Sequence, residues 1–257
     1  MTRLAAILLA ALVLAPASAG ASTTRPPLGL TATPAHVALT GFGRATVRVT
    51  NPGASPVVVD VGRAGFALDL RGRPKVVARG ALRAASSWLT VRPARFVLAA
   101  GASRFLTVSS RLPSRVEPGD HDALVLLTTR PKQGSGVLLR MRIGIVVVVR
   151  APGRIVRRLS LGPLRARRER GTRILELDVR NRGNVTESFE RRDVGLTLRR
   201  GVEELKVRAE PRDLRPRTGG IVQFRYRGAL QGWATAAVRI AGEPGRAAVF
   251  RTYRVKL

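Results

Sequence analysis

The chain has 257 residues, no cysteine and two histidines, and its 46 lysines and arginines face 16 aspartates and glutamates for a formal net charge of +30. That composition excludes disulfide scaffolds, thiol catalysis and cysteine-held metal centres, and it leaves little material for general acid–base work. The charge implies attraction to polyanions. Only Lys75, Lys132, Lys206 and Lys256 are lysine, a bias that a GC-rich coding sequence also produces, so the charge and not the choice of arginine carries that inference.

The first residues predict export. Arg3 precedes an apolar run, Leu4 to Leu14, and Ala17-Ser18-Ala19 has the small-x-small form of a cleavage site, so residues 1–19 read as a signal peptide. The run falls well short of the ~20 residues that span a bilayer. No cysteine follows it to carry a lipid. The expected location is the periplasm, or the wall and exterior, of a bacterial-type envelope.

Beyond the leader, alternation dominates. Thr46-Val47-Arg48-Val49-Thr50, Leu175-Glu176-Leu177-Asp178-Val179 and Val222-Gln223-Phe224-Arg225-Tyr226 each alternate polar and apolar, which gives a strand one buried and one wet face. Turn chemistry separates such runs at Asn51-Pro52-Gly53, Glu117-Pro118-Gly119-Asp120, Asn181-Arg182-Gly183-Asn184 and Gly219-Gly220. The stretch Ile145 to Val149 is apolar throughout and reads as a strand buried on both faces. Ala247 to Leu257 reads as a last strand, with no apolar tail.

Three blocks repeat in order. Val47, Val49, Asn51 and Gly53 recur 130 residues on as Leu177, Val179, Asn181 and Gly183. Leu89, Val91, Leu98 and Val108 recur 116 on as Leu205, Val207, Leu214 and Phe224. Gly119, Ala123, Val125 and Leu127 recur 113 on as Gly232, Ala236, Val238 and Ile240. The offsets only shrink, as in two copies of one module of which the second has shorter loops. The predicted fold is all-β, two tandem immunoglobulin-like β-sandwiches over 28–150 and 151–257, divided near Ala151-Pro152-Gly153.

The search for chemistry finds no catalytic, cofactor or metal site. Nucleophile elbow, zinc-protease helix and EF-hand loop are all missing, and Gly41-Phe42-Gly43 follows no strand–helix unit. Glu117, Asp120, His121 and Asp122 could offer cation ligands, but alternation turns His121 away from the two aspartates and a solvated turn is the simpler reading. Asn184-Val185-Thr186 matches a glycosylation acceptor and reads instead as turn and strand start. Trp88 and Trp233 are expected in the core or at a domain edge, with sugar stacking as the functional alternative. The aromatics are not interleaved with the basic runs, so nucleic acid is not an expected partner. Arginine is densest at Arg154, Arg157, Arg158, Arg165, Arg167, Arg168, Arg170 and Arg173, where only Glu169 is a local counter-charge. These eight read as a site for an anionic polymer, or else as a solvated face.

Two family resemblances follow. Trp88-Leu89-Thr90-Val91-Arg92-Pro93, Phe96-Val97-Leu98, Gly101, Leu112-Pro113 and Pro118-Gly119-Asp120-His121 resemble the two-domain envelope proteins that accompany WxL surface proteins. That resemblance implies an exported protein binding peptidoglycan and a protein partner. The same stretch, continued through the long strand to Arg150-Ala151-Pro152, resembles the first domain of PapD-type periplasmic pilus chaperones. There the last strand of the first domain completes a client's sheet, which here implies a strand edge at Leu139, Met141, Ile143, Ile145 and Val147. The chaperones' carboxylate-holding lysine and arginine have no counterpart, since Gly144 stands near the one position and the region of Ala35 lacks the other. The expected function is non-enzymatic binding in the envelope, without cofactor. The partner is an anionic wall polymer or surface protein met by a basic face or, alternatively, an exported client met by a strand edge.

Overall fold

The computed structural model describes residues 29–77, 85–130, 140–189, 194–228, 230–241 and 248–257. The predicted leader and Leu139 lie outside the described residues. Strands β1 to β10 are Thr31–Thr33, His36–Thr40, Arg44–Thr50, Val57–Leu68, Pro74–Val77, Leu89–Arg92, Arg95–Leu98, Ser103–Ser110, Gly119–Arg130 and Arg142–Ala151. Strands β11 to β19 are Leu159–Glu169, Thr172–Asn181, Glu187–Ser188, Val194–Arg200, Glu203–Arg208, Asp213–Leu214, Gly219–Tyr226, Trp233–Ile240 and Val249–Lys256.

The first sandwich packs a sheet in the order β1-β3-β8-β6 against β2-β10-β9-β4-β5, with β7 also paired to β4. The second packs β11-β12-β17 against β15-β14-β18-β19, with β13 and β16 as a short pair. All pairings are antiparallel except β2 with β10. The chain through β1 and β2 changes sheets: β1 joins β3, and three residues later β2 joins β10.

Alternation does what the sequence predicts. Val47, Val49, Leu106 and Leu127 point into one buried cluster, and Leu177, Leu196, Val222 and Phe224 into a second, separate one. Each such side chain contributes about 1.5–3 kcal/mol of burial. Ile145, Val147 and Val149 are fully buried and Val148 nearly so, as the continuous apolar run requires.

The repeat is physical as well as textual. Asn51 is buried and its amide donates to the carbonyls of Ser55, Leu98 and Ala99, while its oxygen accepts from Gly53 N–H. Asn181 is buried likewise, donating to Val185 and Leu214 and accepting from Gly183. Leu98 and Leu214 are themselves repeat partners. Each sandwich therefore closes one end with an asparagine that satisfies loop backbone groups otherwise stranded away from water.

Candidate functional site

Strand β10 is paired along its whole length to β9, but β2 covers only Val146 to Arg150. Val146 N–H donates to Ala35 O at 3.0 Å, on the β2 side. Met141 donates its N–H to the Thr129 hydroxyl and accepts from Thr129 N–H, on the β9 side. Backbone direction alternates along a strand, so the N–H and C=O groups of Arg142 and Gly144 face the side that β2 does not reach. Among the described residues the edge is open there, because the chain has crossed to the opposite sheet as β1. Ile145 and Val147 belong to the sandwich's own core, and Val147 is already paired to Val37. Met141 and Ile143 are half-buried at the sandwich margin, beside the open backbone.

The other end of β10 meets the second sandwich. Asp120 accepts from Arg150 through Nε at 2.7 Å and Nη2 at 3.0 Å, and from Thr186 N–H at 2.8 Å. Asp122 pairs with Arg215, and Glu117 with Arg217. Burial pushes the Asp122 carboxyl above its usual range, and the Arg215 guanidinium pulls the other way. Asn184 donates to the carbonyls of Pro118 and Arg154, and its own carbonyl accepts from Asp120 N–H. His121 points away as alternation requires, its ring tilted against Trp88 with centroids 4.7 Å apart and its Nε2 bonded to Glu117 O. The acidic cluster is thus the electrostatic clasp between the sandwiches. Among the described residues no group of three or more side chains could hold a metal ion.

A second strap comes from the turn after β4. Leu70 O accepts from Ile221 N–H and from Arg212, Arg215 donates to Phe66 O, and its guanidinium lies 4.0 Å from the Phe66 ring. Between clasp and strand β2 lies a cleft of about 260 Å³, lined by His36, Val148 and Arg150 on one side and by Thr186, Ser188 and Asp213 on the other. Its basic group, Arg150, is held bidentately by Asp120.

The eight arginines do not converge. Arg157 pairs with buried Glu187, Arg165 with Asp178, and Arg167 with both Glu169 and Glu176. Burial pushes the Glu176 carboxyl up, but hydrogen bonds from Arg167 and Gln223 outweigh it and hold Glu176 below its usual range. Arg173 is buried against the Tyr226 ring and donates to Gly228 O. Arg154, Arg158, Arg168 and Arg170 are exposed and pair with no acidic side chain among the described residues. They stand at opposite ends of β11, an eleven-residue strand whose ends lie about 30 Å apart. Trp88 packs on the first core as expected. Trp233 does not: it is 56% exposed at the outer face of β18, under the Arg254 guanidinium.

No family model matches the chain, and no curated protein does. The likeness to proteins that accompany WxL surface proteins therefore rests on the quoted residues alone. Solved structures do match. The chain is similar to one from a chaperone–tip adhesin complex of CFA/I fimbriae biogenesis, with TM-score 0.51, 12% identity, and coverage of 87% of this chain and 98% of that one. It is also similar to the YadV chaperone (TM-score 0.48, 12% identity, 88% and 98% covered) and to the Pseudomonas aeruginosa CupB2 chaperone (TM-score 0.45, 13% identity, 88% and 100% covered). The fold shared with the chain from the fimbrial complex is two tandem immunoglobulin-like sandwiches.

Proposed function

We propose that this chain is an exported, chaperone-like binding protein that offers the open edge of β10 to an extended segment of an exported client. The observation that carries the reading is the backbone of Arg142 and Gly144, unpaired among the described residues, beside half-buried Met141 and Ile143. An added strand would complete the ladder there, each hydrogen bond contributing about 0.5–1.5 kcal/mol net, while its alternate side chains meet Met141 and Ile143. The likeness to a chain of a chaperone–adhesin complex supports an exported protein as the class of partner. This binding mode works without a carboxylate anchor in the cleft, because Arg150 is engaged by Asp120.

The test uses a photo-crosslinking residue placed at Arg142 in the native host, with Thr46 on the opposite sheet as control. The expected result is a stoichiometric adduct with one exported protein from position 142 only, surviving about 1 M salt, where charge is screened within about 3 Å. Gly144→Pro deletes a donor that faces no neighbour among the described residues, so the fold holds and the adduct falls about tenfold. Adducts of equal yield from both positions, or adducts lost in salt, overturn the reading. Salt-labile retention on purified wall would favour the other reading, a wall polymer bound through Arg154, Arg158, Arg168 and Arg170, the cations left exposed by the ion pairs of β11 and β12.

A further inference from the structure

The outer face of the sheet β1-β3-β8-β6 takes no part in the edge or the clasp. Val47, Val49, Leu106 and Val108 point into the core, so Thr46, Arg48, Phe105 and Thr107 point out. Thr33, Arg48 and Phe105 lie side by side in one row, and Thr46, Thr107 and Arg92 form the next. A row of three hydroxyl side chains precedes these two, and a row containing Arg44 follows them. The twelve outward residues are eight serines and threonines, three arginines and one phenylalanine. Threonine suits any strand, and a lone exposed ring is ordinary on a surface. What sets this face apart is its charge.

The three arginines lack a counter-charge in their own sandwich, whose five acids are all engaged elsewhere. Asp60 pairs with Arg95 and Arg130, Asp120 with Arg150, Asp122 with Arg215, and Glu117 with Arg217. Asp69 accepts two backbone N–H bonds within its own turn. The segments 20–28, 78–84 and 131–139 contain no aspartate or glutamate. On the second sandwich, by contrast, Arg167, Arg199 and Arg225 each pair with an acid. The side chains of Arg48, Arg92 and Phe105 make no ion pair, hydrogen bond or ring contact among the described residues. Phe105 is 65% exposed. Arg48 stands directly beside it and Arg92 diagonally across, with their Cα atoms about 12 Å apart.

We propose that this face binds an acidic polysaccharide, a chain of sugar rings that carry carboxylates. The Phe105 ring stacks under the C–H face of one pyranose, and Arg48 holds the carboxylate of that sugar with two parallel hydrogen bonds. Arg92 meets the charge of a neighbouring sugar. Thr33, Thr46 and Thr107 exchange hydrogen bonds with sugar hydroxyls, each side chain being both donor and acceptor. The hydroxyl rows decide between this ligand and a lipid surface. An acyl layer around Phe105 would take those hydroxyls out of water without partners, whereas a sugar replaces the hydrogen bonds that water loses. The site is independent of the β10 edge, and a glycan yields no protein adduct from position 46.

Oligogalacturonate is the probe, titrated into the full-length protein by calorimetry at about 0.1 M salt, beside polyglutamate of the same charge as a polyanion without sugar rings. Wild type binds oligogalacturonate about tenfold more tightly than polyglutamate. Phe105→Ala keeps every charge and removes an exposed side chain. The melting temperature therefore holds, oligogalacturonate affinity falls about tenfold or more, and polyglutamate affinity does not change. Phe105→Trp restores the ring and the affinity. Arg48→Gln weakens oligogalacturonate about tenfold, whereas Arg208→Gln, an equal charge loss at an exposed position of the second sandwich, changes it less than about twofold. Binding of oligogalacturonate by Phe105→Ala within about twofold of wild type overturns the site. Equal losses in Arg48→Gln and Arg208→Gln overturn it too, because only the general field of the protein would remain. Absence of oligogalacturonate binding by wild type, or binding of polyglutamate as tight, overturns the polysaccharide as ligand. Retention on phosphatidylglycerol vesicles that Phe105→Ala abolishes, without affinity for oligogalacturonate, assigns the face to a membrane instead. None of these results touches client capture at Arg142, so the two readings fail separately.

Discussion

The two sandwiches hang the same repeat strand on opposite sheets. Leu89 and Val91 of β6 correspond to Leu205 and Val207 of β15, yet β6 pairs with β8 while β15 pairs with β14. Loop length decides it. Between the end of β4 at Leu68 and the start of β6 at Leu89 the chain has room to cross the sandwich, and Leu89 becomes fully buried. Between β14 and β15 only Gly201 and Val202 intervene, with Gly201 at φ 56° in the glycine-first pattern of a tight hairpin. A two-residue loop cannot reach the other sheet, so β15 stays beside β14. The drop in repeat offset from 130 to 116 falls between Gly53 and Leu89, the span that contains this connection.

The features the two copies share should respond most strongly to mutation. Asn181→Ala strands Val185 O, Leu214 O and Gly183 N–H, and unsatisfied buried groups cost about 1–3 kcal/mol each. The second sandwich should lose about 3 kcal/mol or more. Asn51→Ala should cost the first sandwich less, about 2 kcal/mol, because two of its amide contacts and its Gly53 contact are only part-buried. Urea titration read by hydrogen exchange and mass spectrometry resolves each sandwich. Equal loss in both sandwiches from either mutation would mean that the modules do not unfold separately.

Gly119 and Gly232 are repeat partners in different surroundings. Both have positive φ, 118° and 80°. A Cβ on Gly119 would lie 2.0 Å from the Asn184 carbonyl oxygen across the clasp, whereas one on Gly232 would meet nothing nearer than the Arg200 guanidinium carbon at 3.9 Å. Gly119→Ala should cost about 2–3 kcal/mol and speed exchange at Thr186 N–H, while Gly232→Ala should cost about 1 kcal/mol for backbone strain alone. Similar costs for the two would show that the clasp yields without penalty.

The contrast also marks what the sequence makes legible. Strand identity was readable from Val222 to Tyr226 because a period of two is local, and the modular repeat because Asn51 and Asn181 keep their spacing to Gly53 and Gly183. The meaning of those asparagines was not, since their acceptors at Leu98 and Leu214 lie 47 and 33 residues away. The ion-pair partners of the dense arginines were out of view for the same reason. Glu169 is the only acid within the stretch, but Asp178 and Glu176 come diagonally across the β11–β12 ladder, and Glu187 from beyond it. Glu117, Asp120 and Asp122 read as a wet turn because Arg150, Arg215 and Arg217 are remote in sequence. Strand alternation did separate His121 from the aspartates. The open stretch of β10 depends on where β2 begins, which no local pattern states.

The smallest expected effect concerns the other tight hairpin of the second sandwich. Arg170 and Gly171 link β11 to β12 with φ of 45° and 78°, the left-handed pair of a two-residue turn. Glycine accepts that conformation freely, but arginine pays for it, and asparagine is the side chain that this position tolerates best. Arg170→Asn should therefore stabilise the second sandwich by about 0.5 kcal/mol and leave the first unchanged, as measured by the same exchange experiment. The substitution also removes one of the four exposed cations at the two ends of β11. If those arginines were a polymer site, the variant would gain stability and lose wall binding together. A loss of stability in Arg170→Asn would mean that Arg170 makes contacts worth more than the strain of its turn.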